Sequence, residues 1–74
     1  MYQVDTRELR KKMIDADIAT IAGLAEASGV DRNTIGAILS EKARPSSAVI
    51  DKIAEALGME GEDIGRIFFA TELS

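Results

Sequence analysis

Leu24-Ala25-Glu26-Ala27-Ser28-Gly29-Val30-Asp31-Arg32-Asn33-Thr34-Ile35 is the stretch from which the architecture follows. Its first half closes a short helix that reads from Ile21 to about Ser28, opened by Thr20. A threonine hydroxyl there accepts one of the amide hydrogens that a first helical turn leaves unpaired. Leu24 and Ala25 form the inner face of this helix. Gly29 stops it, because glycine enters the left-handed backbone of a tight turn without a Cβ clash. Val30 follows as a plug beneath the turn. Asp31 then caps a second helix, Arg32 to about Ser40, whose Ile35, Ile38 and Leu39 repeat at helical spacing. Arg32, Asn33, Gly36 and Ala37 lie off that apolar stripe. Two short helices joined by glycine, valine and aspartate predict a helix-turn-helix over about residues 20–40.

Working outward, Asp5 and Glu8 have capping-box spacing and predict a first helix. Leu9 and Met13 share its inner face, while Arg7, Arg10, Lys11 and Lys12 fall largely on the solvated side. The helix should fade near Asp15–Asp17, where carboxylates oppose the helix dipole. Beyond the central pair, residues 41–46 form a polar connector in which Pro45 biases Arg44 away from helix. Val49, Ile50, Ile53, Ala54 and Leu57 then mark a fourth helix, begun at Ser46 or Ser47 and ended by Gly58. A fifth, from Glu60 or Gly61 to Phe69, turns Ile64, Ile67 and Phe68 inward and carries Glu62 and Asp63 in its first turn. Ala70–Ser74 reads as a frayed tail. No strand pattern, fixed-period repeat or low-complexity run interrupts this order, so the expectation is one all-α domain of five helices spanning residues 1–74.

Composition narrows the chemistry. Seventy-four residues accommodate one domain, and a chain this short buries only roughly 60% of its unfolded surface. Cysteine and histidine are both absent. Disulfides, thiolate metal sites and the commonest general base are therefore excluded. Catalysis would need a carboxylate pair or a lysine in a pocket, so an enzyme fits poorly. Neither metal spacing nor a glycine-rich phosphate loop is present, and no cofactor is expected. No apolar run approaches the ~20 residues of a membrane span, and Met1–Asp5 lacks the pattern of a signal peptide. The expected location is the cytoplasm, without membrane association.

The formal net charge is −4, whereas nucleic-acid binders usually carry a basic surface. The charge is unevenly spread. Residues 1–17 hold four basic and four acidic side chains, and residues 18–46 hold three of each. Residues 47–74 hold two basic and six acidic ones, so the whole deficit lies in the C-terminal part.

Residues 24–35, with Arg44-Pro45-Ser46, Ile53-Ala54-Glu55-Ala56-Leu57-Gly58 and Ile64-Gly65-Arg66-Ile67-Phe68-Phe69, resemble the lambda-repressor-like (Cro/XRE-type) helix-turn-helix family. The resemblance covers roughly residues 6–70. It implies a five-helix, phage- or bacterial-type transcription regulator that binds double-stranded operator DNA, usually as a homodimer, with residues 32–40 in the major groove. By position it places Arg32, Asn33, Gly36 and Ala37 against bases. Arg and Asn can make bidentate contacts to guanine and adenine, and Ala can touch a thymine methyl. It likewise places Thr20, Ile21, Lys42 and Arg44 where the family meets phosphates.

At Ile21 the sequence departs from the family, which typically has a phosphate-bonding glutamine there. Isoleucine can make no such bond. Ile21 either tucks against the first helix or, with Ala22, Gly36 and Ala37, forms an apolar patch on the DNA-facing side. The second arrangement, with the acidic balance, raises an alternative function. In it the same face binds a partner repressor protein, and the chain acts as an antirepressor or modulator. A homodimer would form through the fifth helix and its Phe68–Phe69 end.

Overall fold

The computed structural model describes residues 3–70. Five helices follow in order: α1 (Thr6–Asp15), α2 (Ile21–Ser28), α3 (Arg32–Leu39), α4 (Ser47–Leu57) and α5 (Gly61–Phe68). Each expected helix is present, with ends within a residue or two of those read from the sequence. Asp5, Thr20, Asp31 and Ser46 cap α1 to α4, each accepting an amide hydrogen from the first turn. For α5 the reach is reversed, and the Glu60 amide donates to the Asp63 carboxylate at 3.2 Å.

The core gathers one face from every helix. Leu9 and Met13 of α1, Leu24 of α2, and Ile35, Ile38 and Leu39 of α3 are all buried. They meet Ile50, Ile53 and Leu57 of α4 and Ile67 and Phe68 of α5. Val30 lies beneath the α2–α3 turn, 7% exposed, as its plug position requires. Ala25, Val49 and Ile64 are partly buried against this cluster. Helix α2 packs on both α3 and α4, which holds the central pair against the rest of the bundle.

The two ends of the described chain meet. Gln3 and Ala70 exchange backbone hydrogen bonds at 2.9 and 3.1 Å, and the Asp5 amide donates to the Ile67 carbonyl at 2.7 Å. Ala70 is therefore buried and paired, not part of a frayed tail; residues 71–74 lie outside the described residues. Phe68 is 4% exposed, so of the aromatic pair assigned to a dimer only Phe69 reaches the surface. Lys11 stays exposed, as expected, and pairs with Glu8 at 3.1 Å. Lys12 differs from the expected solvated face, being half-buried and reaching Asp63 of α5 at 3.4 Å. Among the described residues, no helix is long and apolar enough to cross a membrane.

Candidate nucleic-acid interface

The geometry of the α2–α3 turn is local in origin. Gly29 adopts φ 75°, in the left-handed region, and its amide donates to the Ala25 carbonyl at 2.8 Å. Ser28 buttresses the same corner. Its hydroxyl donates to the Leu24 carbonyl at 2.6 Å and accepts the Val30 amide at 3.2 Å. Asp31 restarts the chain as helix, one carboxylate oxygen accepting the Asn33 and Thr34 amides at 2.9 and 3.3 Å. The helix dipole favours negative charge at this position. With Ile35, Ile38 and Leu39 anchored in the core, the opposite side of α3 is turned outward.

That outward side carries the residues singled out in the sequence. Arg32 and Asn33 are exposed in the first turn, and neither side chain has a hydrogen-bonded or ionic partner among the described residues. Gly36 and Ala37, one turn on, are half-buried. Lys42 and Arg44 are exposed in the α3–α4 connector. Thr20 is exposed at the start of α2, its hydroxyl oxygen accepting the Gly23 amide at 2.9 Å. The hydroxyl hydrogen is still available to donate to another acceptor.

Ile21 is not tucked into the core. It is 39% exposed and stands outside the core cluster. A Cβ placed on Gly36 would lie 4.0 Å from the Ile21 Cδ1 atom, so the isoleucine reaches across to the bare backbone of α3. Ile21, Asp31, Arg32, Asn33 and Gly36 together line an open depression of about 530 Å³. Ala22 is exposed beside Ile21 in the first turn of α2 but does not line this depression.

Two features escaped the sequence reading. The first is the ion network that ties α1 to α5. Arg66 donates to Glu8 at 2.6 Å and to Asp63 at 3.2 Å. Its intrahelical halves, Glu8–Lys11 and Asp63–Arg66, have i,i+3 spacing and could have been read. The cross-helix halves depend on how the helices pack. The second is Glu41, which occupies the left-handed region at φ 62° directly after α3. Glutamate gives no composition cue for that backbone.

A surface helix held by a two-helix corner, with arginine and asparagine exposed in its first turn, defines a small helix-turn-helix domain. The chain belongs to the Cro/C1-type HTH DNA-binding domain family, whose model matches residues 8–67. DNA-binding regulation is the general class of function that this membership supports. No curated protein and no solved structure matches the chain.

Proposed function

We propose that residues 1–74 act as one domain, a sequence-specific transcription regulator of phage, prophage or bacterial type. It works in the cytoplasm without catalysis. Helix α3, with Ser40 as its cap, enters the major groove of operator DNA. The observation that carries the reading is the pairing of exposure with lack of partners at Arg32 and Asn33. Arg32 reads guanine, Asn33 reads adenine, and Gly36 and Ala37 allow close approach to the groove floor. Thr20 at the start of α2, with Lys42 and Arg44 in the α3–α4 connector, meets phosphates. Two half-sites read by a homodimer would give the operator its symmetry.

The test begins with selection from a random duplex pool at low salt. Binding to the recovered sequence should weaken steeply as salt is added, as it does when lysines and arginines displace counterions. Arg32→Ala should cost about 1–3 kcal/mol of discrimination at one base position. Failure to recover any preferred sequence at low salt would overturn the reading.

A second reading is favoured by the exposed Ile21. In it the chain is an antirepressor that presents Ile21, Ala22, Gly36 and Ala37 to a repressor protein. It then displaces a repressor from its operator without binding the duplex itself, and Ile21→Gln abolishes the displacement.

A further inference from the structure

We propose that Ile21 and Gly36 form a subsite for a thymine methyl group, so that Ile21 on α2 is a base-specificity residue. The inference rests on the DNA-reading role of α3 proposed above. Ile21 is a large apolar side chain left 39% exposed on the side of the molecule that carries Arg32 and Asn33. It does not pack into the core. Its Cδ1 instead stands about one van der Waals contact from where a Gly36 side chain would begin. The missing side chain leaves room beside the isoleucine. The resulting notch, with Ile21 as its apolar side, opens into the depression that Asp31, Arg32 and Asn33 also line.

The chemistry of the major groove offers few occupants for such a notch. Its base edges present hydrogen-bond donors, acceptors and one apolar group, the C5-methyl of thymine. Ile21 cannot bond a phosphate, and an apolar side chain pressed against a polar base edge would leave that edge unsatisfied. A thymine next to the bases read by Arg32 or Asn33 removes both problems. Its methyl enters the gap over Gly36 and packs on the isoleucine, while its O4 faces the polar walls. The apolar part of the depression is the Ile21 side chain and the bare backbone of Gly36, enough for one methyl group.

The test uses the duplex recovered by selection and replaces each thymine in turn by deoxyuridine, which removes only the methyl. In the native protein one thymine per half-site should be sensitive, its replacement weakening binding about fourfold, the value of burying one methylene-sized group. In Ile21→Ala the penalty for deoxyuridine at that position should shrink towards onefold. Gly36→Ala should do the same, because the new methyl fills the space the thymine would use. That variant stays folded, since its Cβ meets Ile21 at ordinary contact distance and alanine is the better helix former. Thermal melts of both variants confirm that any change is not unfolding.

A selected duplex that is indifferent to deoxyuridine at every position overturns the subsite and leaves α3 as the reading helix. So does a penalty of equal size in all three proteins. If no duplex is selected and Ile21→Gln instead abolishes capture of a repressor, the DNA-reading role and the subsite fall together.

Discussion

Four of the five helices end through a residue in left-handed backbone, yet only two of those residues are glycine. Gly29 and Gly58 take φ 75° and 65°; Asp17 and Glu41 take 61° and 62°. At Asp17 and Glu41 the hydrogen bonds make a full Schellman pattern. Asp17 donates to Ile14 and Ile18 to Met13, while Glu41 donates to Ile38 and Lys42 to Ala37. The pattern satisfies carbonyls that a helix end otherwise leaves open. A side chain with a Cβ opposes it, at roughly 1–2 kcal/mol per left-handed residue. Glu41→Gly should therefore raise stability by up to about 1 kcal/mol, the relief of strain outweighing the extra unfolded-state entropy of glycine. Gly29→Ala should lower it by about 1 kcal/mol for the converse reason. Urea melts of the two variants beside the native protein check both signs.

At the scale of elements, α1 and α5 are joined by charge as well as by packing. Hydrogen bonds from Lys11 and then Arg66 hold the Glu8 carboxyl below its ordinary value of 4.5. The Glu60 amide, and then Arg66, hold the Asp63 carboxyl below its ordinary 3.8. A carboxylate whose pKa is lowered by folding stabilises the fold above its unfolded value and loses that contribution as pH falls through its folded value. The melting temperature should accordingly decline as the medium is acidified below about pH 4.5, the ordinary value of Glu8. Its hydrogen bonds to Glu8 and then Asp63 push the Arg66 guanidinium further up from its already high ordinary value, so it remains charged throughout the working range. Arg66→Met removes the shared cation and should flatten the acid limb of the profile. The pairs are solvent-accessible, so added salt should weaken the same contribution. Melts at several pH values in low and high salt separate the two effects.

For the whole molecule, the core and the proposed reading face respond to substitution in opposite ways. A domain of this length has a total stability of roughly 4–11 kcal/mol. Leu24 is fully buried where α2 meets α3 and α4. Leu24→Ala should cost about 2–5 kcal/mol, a large share of that total, through lost transfer energy and the cavity left behind. In urea the midpoint should fall at nearly constant slope. Ile21→Ala, three residues away but outside the core, should shift the midpoint little. Stability measured on these two variants thus distinguishes what holds the bundle from what faces a partner.

The sequence by itself determined the five helices, the caps at Asp5, Thr20 and Asp31, and the exposed placement of Arg32 and Asn33. Those features follow from period, capping chemistry and two glycines, Gly29 and Gly58, all of which act within a few residues. The buried stripe of Ile35, Ile38 and Leu39 leaves only one side of α3 to face outward. Only the tertiary structure decided where Ile21 points, since two destinations were equally consistent with its place in α2. It also set the cross-helix ion pairs, the burial of Phe68 and the pairing of Gln3 with Ala70. Those depend on distances between segments far apart in the chain, and such distances are fixed by how the five helices pack.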